Sequence, residues 1–445
     1  MNPPIPPLPP PGGHVPTLGH GPQMSRRGAL RSLGWIGALA TAPGAVALES
    51  SPTPSPALPD PALRLHEAEK YWTRVRAEQF LLGEKRSFLN PGSLGVVPRP
   101  VLQKVIESQT RQAEWSTDDL PRWGYETLED ERAEMAQFLG CQREELAFTH
   151  NCTEAISYVA AGLELKAGDE VLMTNQEHPG GSSGWKIRAA RSGIVVREVE
   201  IPLSPQEPGE LAERMISAIG PKTRVLSFSG ITSPTGLVMP VAEICRAARD
   251  QGVLTLVDGA HMDGQIPVNL RELGCDFFAG SPHKWMFAPA GCGLLYGRGE
   301  ALDRLWPSVC NSGWDNPAGL HATRFMMIGT NNRSIIDGMM AGLRFLKALG
   351  PEAVYARQHQ LAQLIQRRTR ERSYLEPVTR DDSRLFRAIY TLRFKESELS
   401  ALFKTMKERQ IYILGGQRQR LSANIYTRPS DIEAFFEVCD QHLKR

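Results

Sequence analysis

A chain of 445 residues, 41% hydrophobic and 22% charged, carries enough apolar material for a sizeable core and exceeds the length that one core ordinarily serves. Its 51 basic and 49 acidic side chains leave a formal charge of +2, which removes the electrostatic case for a nucleic-acid partner and suits a small polar substrate. The seven cysteines, at 141, 152, 245, 275, 292, 310 and 439, include no C-x-x-C pair, so neither a zinc site nor a disulfide framework is expected.

Residues 1–60 open on a proline-rich run from Pro3 to Pro11 that cannot build a packed core, and they are set apart from the fold. Within them Ser25-Arg26-Arg27-Gly28-Ala29-Leu30 precedes a mildly apolar stretch, Leu33 to Ala47, that ends in Ala45-Val46-Ala47. This resembles a twin-arginine export signal cleaved after Ala47, and it is too short and glycine-rich for a stable membrane span. Export by that route, which carries folded and cofactor-loaded proteins, is the expectation. The alternative is a cytoplasmic protein with a disordered tail and a chance arginine pair, since 23 residues precede Met24, where such a signal would begin; the start is Met1 or Met24, and full-length protein found only in the cytosol would exclude export.

From Ser87 to Arg298, β-rich runs alternate with helical patterns, as in βαβ units. Seven strands are expected at Leu146–Thr149, Glu170–Thr174, Val195–Val199, Arg224–Phe228, Val253–Val257, Phe277–Ala279 and Gly293–Tyr296. Several are apolar almost throughout, which predicts a mostly parallel sheet covered on both faces. Helices are expected at Thr153–Leu163 and Val241–Gln251. Ligands of such sheets bind beyond the carboxyl ends of the strands. After Thr330 the pattern turns to long helices, the first opened by a capping-box-like Ser334 and Asp337, with Ile336, Met340, Leu343 and Leu346 on one face and Gly350-Pro351 as its stop. Strands at Ala388–Phe394 and Arg420–Tyr426 complete the pattern: an α/β fold with a large domain over 61–332 and a smaller α+β domain over 333–445, the cleft between them being the expected site.

Four segments carry chemistry. Lys284, in Ala279-Gly280-Ser281-Pro282-His283-Lys284-Trp285, follows an apolar strand and precedes a glycine-rich stretch, so partial desolvation should lower its amine pKa as Schiff-base chemistry requires. Asp258 ends the apolar run of Thr255-Leu256-Val257-Asp258-Gly259-Ala260-His261, where it can meet a cation or simply cap a turn. The strand-to-helix junction at Asn151-Cys152-Thr153 offers free backbone N–H groups and a helix dipole to a phosphate, unless Thr153 is no more than an N-cap. His178 follows the Glu170 strand and could stack on a flat ring or be a satisfied structural histidine.

Taken in this order, with VDGAH followed by SPHKW as the most specific pieces, residues from about Phe88 to Thr427 resemble the class V aminotransferases, fold type I pyridoxal-5′-phosphate (PLP) enzymes that include cysteine desulfurases and isopenicillin N epimerase. The opening FLNPGSLGVVPRPV is similar to the epimerase branch and puts Asn90 on the substrate side. The resemblance implies that Lys284 holds the cofactor as a Schiff base and serves as general base, that Asp258 keeps the pyridine nitrogen protonated, and that His178 stacks on the ring. It implies further that His261, where many relatives have glutamine, bonds the cofactor's phenolic oxygen or the lysine together with Ser233, and that Cys152, Thr153, Ser281 and His283 hold the phosphate. Thr330 matches a segment that reaches the neighbouring subunit's phosphate, which implies a homodimer, and Arg420 matches the arginine that grips the substrate α-carboxylate.

The amino-acid substrate and the reaction stay open at this level. A desulfurase needs a thiolate before the substrate arginine, and no cysteine lies between Glu371 and Arg428. The epimerase-like pattern is itself altered, with Pro91, Met326 and Asn331-Asn332 where histidine, an acid and arginine-aspartate are usual. Epimerisation or transamination is expected, with carbon–sulfur lysis as the alternative. Remote alternatives are a hydrolytic metal site made of Asp258, His261, Asp263 and His283, and a binding protein in which Lys284 is idle.

Overall fold

The computed structural model describes residues 56–115 and 128–443. The twin-arginine-like segment lies outside them. Among the described residues no helix is long and apolar enough to cross a membrane.

Twelve strands are present among the described residues: β1 (Ser87–Phe88), β2 (Leu146–Thr149), β3 (Glu170–Thr174), β4 (Val195–Val199), β5 (Thr223–Ser229), β6 (Leu254–Asp258), β7 (Phe277–Gly280), β8 (Gly293–Gly297), β9 (Leu375–Pro377), β10 (Ile389–Phe394), β11 (Ile411–Tyr412) and β12 (Arg418–Ser422). The seven expected strands, β2 to β8, form one sheet in the order β2-β8-β7-β6-β5-β3-β4. Only β8 runs against its neighbours; the other pairings in this sheet are parallel. The central strands are buried on both faces, which is why their sequences are apolar without alternation. A polar group inside this core is satisfied rather than excluded: the indole of the fully buried Trp185 donates to Ser227 Oγ at 2.9 Å.

A second, antiparallel sheet, β12-β10-β9, lies toward the C-terminus and has its own core around Leu361, Tyr390, Leu421 and Phe435. The last strand differs from expectation. It ends at Ser422 rather than Tyr426, because Asn424 to Thr427 closes a turn in which the Thr427 N–H donates to Asn424 O and Thr427 Oγ1 accepts from the Asn424 N–H. The long helix Arg333–Leu349 also starts differently. Its cap is Asn332, whose side chain accepts from the Ser334 N–H, while Asp337 instead accepts from Arg333 Nε (2.9 Å) and Ser108 Oγ (2.7 Å).

Two ties carry the segment before Gly92 to the C-terminal sheet region. Strand β1 pairs in parallel with β11, and Leu89 is buried in the smaller core. On the helix Ala68–Gln79, buried Arg76 donates to the carbonyl oxygens of Arg86 (2.7 Å), Gly83 (3.2 Å) and Tyr426 and pairs with Asp431, so its charge is matched in every direction.

Candidate active site

Neighbouring strand ends build the floor of the site. Ser229 on β5, Asp258 on β6 and Ala279 on β7 stand side by side in register, so the loops leaving these strands converge on one point. The expected strand Val253–Val257 extends by one residue to include Asp258, which places the acid in the sheet itself. Beyond these ends a cavity of about 260 Å³ opens, lined by Gly92, Ser93, Asn151, Cys152, Thr153, His178, Gly180, Ser229, Ser233, Asp258, Ala260, His261, Ser281, His283, Lys284 and Arg420. Ten of the twelve residues singled out from sequence therefore meet in one place. Asn90 joins them indirectly by accepting from Arg420 Nη2 at 3.2 Å. Thr330 does not: it is exposed and outside this chain's own cavity.

Lys284 sits on the one-turn helix Pro282–Trp285, held by its backbone N–H to Ser281 O. Burial lowers its amine pKa, opposed by the nearby Asp258 carboxylate. The opening segment packs directly on this turn. Gly95 N–H donates to His283 O at 2.9 Å, and a Cβ at Gly95 would meet Lys284 O at 2.4 Å, so only glycine admits this approach.

Asp258 is oriented by its own loop and by a thiol: Oδ1 accepts from the Ala260 N–H (3.0 Å) and from Cys152 Sγ (3.2 Å), and the residue lines the cavity. The expectation for Cys152 changes accordingly. Its one S–H serves Asp258 or Ala279 O, so what it can offer an anion is the backbone N–H at the start of the helix Cys152–Gly162, once that N–H leaves Ser281 Oγ. Asn151 is the side-chain cap of that helix, which leaves the exposed Thr153 hydroxyl available. Ser281 Oγ lies 3.4 Å from the Cys152 N–H.

The histidines are set individually. His178 caps the helix Pro179–Ser192 with Nδ1 accepting from the Gly180 N–H, and burial together with Lys284 lowers its pKa, so a neutral ring stands at the mouth. His283 donates from Nδ1 to Cys292 O at 2.8 Å. As a neutral ring it thus presents an unprotonated Nε2, and donating there to a phosphate requires the imidazolium form. His261 is 3% exposed, and its Nε2 has no partner among the described residues.

Arg420, from β12, faces this group with its fork already braced: Nη1 to Ser233 O (3.1 Å) and Oγ (2.9 Å), Nη2 to Asn90 Oδ1 and to Ser93 Oγ (3.0 Å). Ser93 and Ser229 were not singled out from sequence. A lone serine in a loop or at a strand end carries no periodic or motif signal. Asp258, His261, Asp263 and His283 do not converge as ligands, and among the described residues no three His, Cys, Asp or Glu side chains form a metal-ligand group.

The family described as "Aminotransferase class-V" matches residues 97–433. Isopenicillin N epimerase of Streptomyces clavuligerus is 30% identical over 389 residues, covering 83% of this chain and 98% of the relative. The chain belongs to the class V aminotransferase family. A second relative, the isopenicillin N epimerase of Amycolatopsis lactamdurans, is 36% identical over 324 residues, 69% of this chain and 81% of its own length. A solved cysteine desulfurase of Escherichia coli shares the fold, with a TM-score of 0.70 at 23% identity over 84% of this chain and 98% of its own. The cofactor of this class V enzyme is pyridoxal phosphate, and the donor set fits it: a desolvated lysine, a carboxylate in the sheet floor, a helix N-terminus and an imidazole with a buried nitrogen that has no partner among the described residues line one polar cavity.

Proposed function

We propose that this enzyme changes bonds at Cα of a free amino acid in the manner of the epimerase-like branch, with Lys284 both holding the cofactor and moving the Cα proton. The observation that carries this reading is that Lys284, Asp258 and a braced arginine, Arg420, line one cavity. When bound, pyridoxal phosphate supplies an electron sink for charge developing at Cα. Asp258 would hold a proton on the pyridine nitrogen. His178 would cover the ring, the Cys152 N–H and the Thr153 and Ser281 side chains would receive the phosphate, with His283 joining them only as the imidazolium that burial disfavours, and Ser233 and His261 would serve the phenolic side. Arg420 binds the substrate carboxylate, which displaces acceptors from the guanidinium fork, since the Nη1 and Nη2 hydrogens are otherwise taken by Ser233, Asn90 and Ser93. The Lys284 amine, its pKa lowered by burial, would take and return the proton at Cα. Thr330 would serve the cavity of a partner copy, so the working unit is a homodimer.

Desulfuration through a persulfide is disfavoured by the state of the cavity's thiol. The cysteine that lines the cavity, Cys152, is buried, and burial and then Asp258 push its thiol pKa well above the ordinary value, which keeps it from being a ready thiolate.

The purified protein should show a visible absorbance band that borohydride bleaches, and Lys284→Ala should lack the reducible band. Amino acids incubated in D2O should acquire deuterium at Cα, and Lys284→Ala should slow this by about 10²–10⁴-fold. A protein that stays colourless with added PLP would overturn the reading. Release of sulfide without Cα exchange would shift it to the lyase alternative.

A further inference from the structure

Trp285 follows Lys284 on the same turn, is fully buried and does not line the cavity. Its indole Nε1–H donates to Nδ1 of His261 at 3.2 Å, with the rings edge to face, centroids 6.1 Å apart and planes at 62°. An indole nitrogen can only donate, so Nδ1 must be the unprotonated nitrogen of the imidazole. Burial, then the charges of Lys284, Arg420 and His178, hold the His261 pKa well below its ordinary value, so the ring is neutral. Its single proton therefore resides on Nε2. That nitrogen is buried, has no partner among the described residues and belongs to a residue of the cavity wall. The backbone of His261 is pinned too: Gln265 Nε2 donates to His261 O at 2.7 Å, while Gln265 Oε1 accepts from the Ala388 N–H at 2.8 Å. A buried donor with no acceptor is rare in a folded protein, and one on the wall of a cofactor cavity calls for a ligand acceptor.

We propose that Trp285 is a positioning residue that locks His261 in its Nε2–H tautomer, so that the ring offers a fixed donor to the phenolic oxygen of the cofactor. The proposal rests on the PLP reading above. Its consequence is electronic. A donor to the phenolic oxygen stabilises negative charge there, so the proton shared between that oxygen and the lysine-linked nitrogen is lost at lower pH. Trp285 thus tunes the cofactor from one residue beyond the lysine that carries it, through a bond that glutamine at position 261 would not need.

Two readouts test this. In protein labelled with ¹⁵N-histidine, with the His261 signals identified by their loss in His261→Gln, the cofactor-free protein should show a protonated Nε2 and a bare Nδ1. Trp285→Phe, which keeps the ring and removes the N–H, should move the pair toward a mixture of tautomers. In the cofactor-loaded protein the pH midpoint of the visible absorbance change should rise by about one unit in Trp285→Phe. In a His261→Gln background the same substitution should leave the midpoint unmoved, since glutamine has no tautomer to lock; this separates tautomer control from a packing role. A bare Nε2 in the wild type, or a midpoint that moves equally in both backgrounds, overturns the proposal while leaving the PLP reading intact. If Trp285→Phe does not fold, the wild-type tautomer still decides. Failure of the wild type to bind PLP overturns both.

Discussion

Glu177 has leverage on the cavity without lining it. Its Oε1 accepts from Thr174 Oγ1 (2.5 Å) and the Ser229 N–H (3.2 Å), its Oε2 from Ser229 Oγ (2.5 Å), and burial first, with Asp258 contributing, raises its pKa to about 7 from 4.5. A carboxyl whose folded pKa is raised keeps its proton in the folded state after the unfolded chain has lost it. The folded form then binds more protons between pH 4.5 and about 7, and the contribution is present below that window and lost as pH rises through it. Glu177→Gln mimics the protonated acid at every pH. The stability of the wild type relative to this variant, read from thermal melts of the cofactor-free protein, should fall on the order of 1 kcal/mol between pH 5 and 8, allowing for screening at its partly exposed side chain. A difference that does not change with pH would show that Glu177 ionises as an ordinary surface acid. Residues of this kind are hard to read from sequence. Lys284 and Asp258 announce themselves by following apolar strands, whereas Glu177, Ser93 and Ser229 matter only because the fold brings them beside those two.

At the scale of elements, the anion end of the cavity depends on how closely β8 approaches the helix that starts at Cys152. Strand β2 pairs with β8 through Thr149 and Gly293, so the chain leaves β2 directly across from a glycine. A Cβ at Gly293 would stand 2.6 Å from the N, Cα and C atoms of Asn151, which caps the helix. Gly293→Ala should push that cap outward and misalign the Cys152 N–H and the Thr153 hydroxyl. Overpacking of this kind costs about 1–3 kcal/mol, and we expect PLP affinity by fluorescence titration to weaken about tenfold or more, with the far-ultraviolet circular dichroism unchanged. Unaltered affinity would mean that the helix start does not hold the phosphate. The elements themselves were legible because buried parallel strands are apolar without interruption and their ends are marked by turn residues. The exceptions have local causes: Asn332 outcompetes Ser334 as a cap, and the Asn424–Thr427 turn stops β12 early, both being side-chain-to-backbone bonds that hydrophobic periodicity does not register.

At the scale of the molecule, Thr330 poses a question that a single chain leaves open by its geometry. It is exposed and outside its own cavity, yet its loop is anchored, since His150 bonds Asn331 Oδ1 through Nε2 at 3.1 Å and Glu154 through Nδ1 at 2.8 Å. If two copies associate so that this loop completes the partner's phosphate site, Thr330→Ala should weaken PLP binding by the loss of one charge-assisted hydrogen bond, about 10-fold or somewhat more. The decisive measurement uses hybrid dimers, made by coexpressing a Lys284→Ala chain and a Thr330→Ala chain with different tags. One cavity of such a hybrid would lack both groups. The other would have Lys284 from its own chain and Thr330 from its partner, and should bind PLP with wild-type affinity at half the wild-type stoichiometry. If Thr330 instead served its own chain, the cavity that keeps Lys284 would lack Thr330, and its affinity would match the weakened Thr330→Ala homodimer. A protein that stays monomeric by light scattering would exclude the shared site altogether.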